Sequence, residues 1–173
     1  MKTTIFAGAA LAVLVSGMAG AACAAPAPHM AIASFAQLTT PLPYPYDEKA
    51  NADKQVAAAK AKALAEHKLL LIDLGGNWCG DCRVLAGTMD QPELKRFVDA
   101  HYVVVTVDVA RFTKNLQIPA HYGITKRLEG VPALLIVDPR SDKLLDEGHI
   151  AALADARNMS PQALADWLAQ WTG

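Results

Sequence analysis

Leu69-Leu70-Leu71-Ile72-Asp73-Leu74-Gly75-Gly76-Asn77-Trp78-Cys79-Gly80-Asp81-Cys82 is the stretch that decides how this chain folds. An apolar run of strand length meets a Gly-Gly turn and then two thiols at Cys-x-x-Cys spacing, where a buried strand would hand over to a helix. With a helix starting near Cys79, the two sulfurs lie about one turn apart on one face, close enough to bond. Cys79 then sits at the positive end of the helix, which favours its thiolate. The chemistry such a pair supports is a reversible disulfide.

Ahead of this stretch, the 173-residue chain opens with Lys2, an apolar segment from Ile5 to Val15 and small residues through Ala25, the pattern of an export signal. Ala22-Cys23-Ala24 allows cleavage after Ala24, so residues 1–24 read as a signal peptide. Cys23 is alternatively a lipid-attachment site, although Gly20 stands where lipoprotein signals carry leucine. Either processing exports the protein, to the periplasm or otherwise out of the cytoplasm, and only lipidation at Cys23 ties it to a membrane. After the signal no apolar run is long enough to cross a bilayer, and a formal net charge of −1 offers nothing basic for nucleic acid. In an oxidising compartment the Cys79/Cys82 pair would make a poor staple, since so small a loop constrains the unfolded chain little.

Residues 25–46 carry Pro26, Pro28, Pro41, Pro43 and Pro45 and read as an extended arm, followed by one domain over 47–173. A helix is expected from Asp47 to about His67, with Val56, Ala59, Ala63 and Leu64 as its inner stripe. Leu69–Leu74 is a central strand, apolar on both faces except at Asp73. A helix from Cys79 to about Gly87 and another capped by Asp90, with Pro92 in its first turn, lead to a strand over Tyr102–Asp108. Strand, helix, strand is the crossover of a parallel sheet and places the chain in the α/β class. Arg111 to Tyr122 reads as loop and short helix. A third strand over Val131–Val137 turns at Asp138-Pro139-Arg140-Ser141 into an antiparallel return over Lys143–Gly148. Ser160-Pro161 caps a last helix whose Leu164, Trp167 and Leu168 face inward.

From Asp47 onward the chain resembles the thioredoxin superfamily, on three separated signatures: Asp73 six residues before Cys79, the Trp78-Cys79-Gly80-Asp81-Cys82 motif, and Gly130-Val131-Pro132 opening an apolar strand. The phrase Gly75-Gly76-Asn77-Trp78 and the later Tyr122-Gly123-Ile124 are most similar to exported bacterial thioredoxin-like proteins, akin to the C-terminal domain of transmembrane thiol:disulfide interchange reductases. The resemblance implies a three-layer sandwich, a central mixed sheet flanked by helices, and a protein-disulfide oxidoreductase without a cofactor. It implies a disulfide-containing protein or small thiol as substrate, an upstream electron-donor protein, and a monomer. Asp81 replaces the proline of cytosolic thioredoxins.

By the same resemblance Cys79 is the exposed nucleophile and Cys82 resolves the mixed disulfide. Lowering a thiol pKa from about 8.5 to about 7 raises the thiolate fraction at pH 7 roughly sixteenfold, while the loss of nucleophilicity removes about fivefold of that. Placement of Cys82 must therefore supply most of the rate. Asp73, an acid in an apolar strand, should have a raised pKa and either relays a proton to Cys82 or ends hydrated at the strand edge. Asp81 puts a negative charge beside Cys79 that Arg83 would partly offset, and an opposed thiolate leans the protein towards reductant. Trp78, Gly80, Asp81, Val131 and a cis Pro132 form the expected substrate-binding surface, with the Val131 backbone open to an extended segment. No histidine stands at zinc-ligand spacing from the cysteines, so no metal is expected there. A copper(I) carrier using the two thiolates and a redox-inert adaptor are the competing classes.

Overall fold

A computed structural model describes residues 24–173. The stretch expected to be a signal peptide, residues 1–24, lies outside them except for Ala24, and so does Cys23 with its alternative lipid attachment. Asn51 starts the first helix, α1 (Ala52–Glu66), by accepting the Lys54 N–H at 2.9 Å. The helix does not begin at Asp47, because that carboxylate accepts the Lys49 N–H and closes a turn instead. Ala63 is buried and Val56 and Ala59 pack partly buried, but Leu64 faces outward. At 100° per residue it falls past the edge of the stripe the other three define.

The strand β1 (Leu69–Gly75) is buried from Leu70 onward, and α2 (Gly80–Met89) follows after a short turn. Asp90 ends α2 rather than starting the next helix, α3 (Pro92–His101). Gln91 is held extended before Pro92, at φ −64° and ψ 136°, and so becomes the N-cap. Next come β2 (Tyr102–Asp108), α4 (Gln117–His121), β3 (Ala133–Asp138), β4 (Lys143–Leu144) and α5 (Pro161–Ala169). In α5, Leu164 and Leu168 are fully buried while Trp167 is only partly so.

The sheet order is β2-β1-β3-β4, with β1 parallel to β2 and antiparallel to β3. Strand alternation divides the core into two layers. Leu70, Ile72 and Leu74 join Val105 and Leu135 on the face covered by α1, whereas Leu71, Leu134 and Ile136 join the side chains of α2, α3 and α5. This is a mixed sheet between helical layers, the α/β sandwich expected. Among the described residues no helix is long and apolar enough to cross a membrane.

The return strand expected over 143–148 stops at Leu144. Beyond it a side chain takes over the pairing: Asp146 Oδ1 accepts the Ile136 N–H at 2.9 Å, and the Ile150 carbonyl accepts that of Leu134 at 2.9 Å. Burial pushes the Asp146 carboxyl up to about 6. Asp146→Ala is expected to destabilise by about 1–3 kcal/mol through the unpaired Ile136 N–H. A raised carboxyl pKa gives stability that is present at low pH and lost as pH rises through the folded value. The loss should therefore be larger below about pH 6 than above it, as denaturant titrations on both sides of that value would show.

The arm before α1 is mostly irregular, with one 3-10 turn at Phe35–Gln37, yet it packs against the domain and buries Met30, Leu38 and Tyr46. Arg83 of α2 donates from Nη2 to the Leu42 carbonyl at 2.8 Å and from Nε to that of Pro43 at 3.0 Å. Thr106 of β2 donates to the Pro45 carbonyl at 2.8 Å.

Candidate active site

Asp73 shares its strand face with Leu71, the face that α2 covers, so alternation along β1 aims it at the helix carrying both thiols. It is fully buried, not hydrated at an edge. Burial pushes its carboxyl up to about 7, the Cys79 charge adding to the effect and a hydrogen bond from Tyr46 opposing it. That bond runs from the Tyr46 hydroxyl to Oδ1 at 2.9 Å, while Oδ2 has no hydrogen-bond partner among the described residues.

Cys79 is the N-cap of α2. Its Sγ accepts the Cys82 N–H at 3.2 Å and donates to the Val131 carbonyl at 3.3 Å. Among the described residues, Cys79 and Cys82 are free thiols. Hydrogen bonding from the Cys82 side chain, together with that N–H, lowers the Cys79 pKa to about 7 against the opposition of burial and the Asp81 charge. The Cys82 thiol moves the other way, raised by its bond to Cys79, by burial and by the Asp73 charge. Cys79 is less open than the resemblance implies. Only 5 % of it is exposed, because a capping side chain folds back over the first turn beneath the Val131 loop. Cys82 is completely covered.

Asp81 is buried, and its partner is Arg157 rather than Arg83. Asp81 Oδ1 accepts from the Arg157 backbone N–H at 2.9 Å and from Nε at 3.0 Å. Arg83, spent on the arm carbonyls, lies over the Tyr44 ring. The Asp81 charge and its counter-ion act on Cys79 in opposite senses. Asp81→Asn is expected to move the Cys79 titration below about 7 and Arg157→Ala to move it above, read from thiolate ultraviolet absorbance against pH. Unchanged curves in both variants would show that this charge does not reach the sulfur.

Around the thiol, Trp78 is 42 % exposed and donates from Nε1 to the Ala110 carbonyl at 2.7 Å. The Arg111 guanidinium lies 4.6 Å from the centre of its ring, and the Phe112 ring meets it edge-on with centroids 6.2 Å apart. Ala110 and Phe112 hold φ values of +48° and +64°, a strained loop of the kind found beside functional sites. Gly80 is exposed next to Arg157. The Val131–Pro132 bond is cis and both residues are buried. The Val131 carbonyl, expected to be open to a substrate, is taken up by the Cys79 thiol in this reduced form.

The sequence missed Tyr46, Asn77 and Arg157. Asn77 and Tyr46 clasp each other: the Tyr46 N–H donates to Asn77 Oδ1 at 3.1 Å and Asn77 Nδ2 donates to the Tyr46 carbonyl at 2.8 Å. Their separation of 31 residues leaves no local periodicity to reveal the pairing, and Arg157 lies 76 residues from Asp81. Among the described residues no group of three or more His, Cys, Asp and Glu side chains stands together to hold a metal ion.

Comparison with known proteins adds three findings. The pattern of the thioredoxin-like family matches residues 51–139, about half of the chain. Thioredoxin-T of Drosophila melanogaster is 34% identical over 100 residues, which is 53% of this chain and 60% of that protein, and thioredoxin of Alicyclobacillus acidocaldarius is 31% identical over 74 residues, 43% and 62%. The chain thus spans about three fifths of the length of these curated relatives. A crystal structure described as a disulphide isomerase from Xylella fastidiosa Temecula1 superposes with a TM-score of 0.66 at 36% identity, over 73% of this chain and 95% of that one.

Proposed function

The chain belongs to the thioredoxin-like family, and from that premise we propose that it is a thiol:disulfide oxidoreductase of the cell envelope that reduces disulfides through the Cys79/Cys82 dithiol. The observation that carries this reading is the split between the two thiols. Cys79, lowered to about 7 and the one with access to solvent, is the attacking group, and Cys82, raised and covered, holds its proton until a mixed disulfide forms.

The electron count is simple. The Cys79 thiolate attacks one sulfur of a substrate disulfide and expels the other as a thiolate. Cys82, deprotonated by the Asp73 carboxylate, then attacks Cys79 Sγ. The Cys79–Cys82 bond forms, the bond to substrate breaks, and two electrons have passed to the substrate. An external dithiol protein must return the pair to the reduced state.

The modest stabilisation of Cys79 supports a reductive direction. A thiolate stabilised far below neutrality makes a strong oxidant, because its reduced form is favoured, whereas a value of about 7 does not. Export rests on the amino-terminal pattern of Lys2, Ile5–Val15 and Ala22-Cys23-Ala24. The test mixes reduced protein with excess oxidised substrate under anaerobic conditions. One Cys79–Cys82 disulfide per chain and two new substrate thiols are expected. Thiols that stay reduced throughout would overturn the reading.

A further inference from the structure

Tyr46 ends the arm, and its side chain enters the protein beneath the dithiol. It is 3 % exposed, and its hydroxyl points at Asp73 Oδ1 from 2.9 Å. Gly75 lies under it: a Cβ there would stand 2.8 Å from Cys82 Sγ and closer still to the Tyr46 hydroxyl. Hydroxyl and sulfur thus converge over a residue that only glycine can be. The Asp73 carboxyl completes the group, and its second oxygen is buried with no partner among the described residues.

Three side chains of the redox region hold the arm so that Tyr46 reaches this place. Asn77, one residue before Trp78, clasps its backbone on both sides. Arg83 of α2 holds Leu42 and Pro43, and Thr106, opposite Asp73 in the sheet, holds Pro45.

We propose that Tyr46 is a positioning residue of the redox centre, whose hydroxyl, carried in by the arm, fixes the buried Asp73 carboxyl so that its free oxygen takes the proton from Cys82. The inference rests on the oxidoreductase reading above. In the resolving step the Cys82 S–H proton moves to Asp73 Oδ2, the Cys82 thiolate attacks Cys79 Sγ, and the substrate sulfur departs with the electron pair of the broken bond. The proton leaves Asp73 when the pair is next reduced. Tyr46 keeps its own proton throughout, since burial and the nearby Asp73 and Cys82 charges push its pKa up. It donates to one carboxylate oxygen and leaves the other as the base.

The titratable groups facing Asp73 are Tyr46 from the arm and Cys79 and Cys82 from the α2 segment. Its sheet neighbours, Thr106 and Leu134, are neutral. A donor to the carboxylate favours the anion, so Tyr46→Phe, which keeps the ring and removes the hydroxyl, should raise the pH at which Asp73 serves as base.

The experiment measures reduction of insulin disulfides by the full chain against pH for wild type and Tyr46→Phe. About a tenfold loss near neutral pH is expected, closing at alkaline pH. Coincident profiles would overturn the proposal, and so would a uniform loss at every pH accompanied by a lower melting temperature, which marks a purely structural tyrosine. The Asp73 carboxyl is also titrated directly in reduced protein by isotope-edited NMR. That titration should move upward in Tyr46→Phe, and an unmoved titration would overturn the proposal even if wild type reduced no disulfide and only the functional reading had failed. Asn77→Ala, which loosens the clasp without touching the ring, should move both readouts in the same direction by less. It carries the same test if Tyr46→Phe does not fold.

Discussion

Cys79→Ser is expected to bring insulin reduction down to the uncatalysed background, while Cys82→Ser is expected to accumulate a covalent adduct with its substrate. The asymmetry comes from the cap geometry of α2. Cys79 Sγ is the sulfur with access to solvent, and it is held in its reactive state by the Cys82 N–H. A serine hydroxyl keeps the cap but is a far weaker nucleophile at neutral pH. In Cys82→Ser the first attack still proceeds, because Cys79 keeps the backbone donor, and the mixed disulfide then lacks an internal thiol to break it. Non-reducing electrophoresis of the two variants after incubation with substrate checks both outcomes. Equal insulin reduction by wild type and Cys79→Ser would defeat the assignment, and adducts on both variants would defeat the division of roles.

Asp73→Asn is expected to stabilise the protein at alkaline pH and to slow its catalysis at the same time. The folded carboxyl titrates at about 7 against a value of 3.8 in the unfolded chain. The raised value means that the folded state holds the proton more tightly. Stability is then complete below pH 3.8 and is lost as pH rises to about 7, after which the loss is constant. The size of that loss is about 4 kcal/mol, since each unit of separation is worth about 1.4 kcal/mol and the group is fully buried. Asparagine has the same shape, accepts the Tyr46 hydroxyl through its carbonyl and never ionises. Denaturant unfolding above pH 8 should therefore show a gain of a few kcal/mol that vanishes near pH 4. A variant no more stable than wild type at alkaline pH would show that Asp73 is solvated, and unchanged turnover would remove it from the proton path.

Much of the fold was legible because its signals are local. β1 and β2 are apolar or β-branched runs, and their ends differ by no more than one residue from the expected ones. The misplaced ends also have local physics: Asn51 is the cap that bonds, Gln91 is held extended by Pro92, and Asp146 pairs with Ile136 in place of a strand. The thiol pair was equally legible, since spacing alone puts two sulfurs one turn apart. What surrounds the pair was not. Asp81 and Arg83 are near neighbours in the chain, and proximity made Arg83 the cation expected to offset the Asp81 charge. Helical geometry separates residues two positions apart onto different faces, so Asp81 turns to Arg157 and Arg83 to the arm.

By itself, then, the amino-acid order determined the apolar strand that carries Asp73, the helix start near Cys79 that sets the two thiols one turn apart, and the proline ahead of β3. Each depends on residues within a turn or two of one another, where backbone preference and side-chain period act directly. Only the tertiary structure decided what the buried acid meets. Tyr46 reaches Asp73 across 27 residues of chain, because Asn77, Arg83 and Thr106 hold the arm against the sheet. Such a contact has no period and no motif: it exists only after the layers have packed, when burial makes one hydrogen bond to a carboxylate matter.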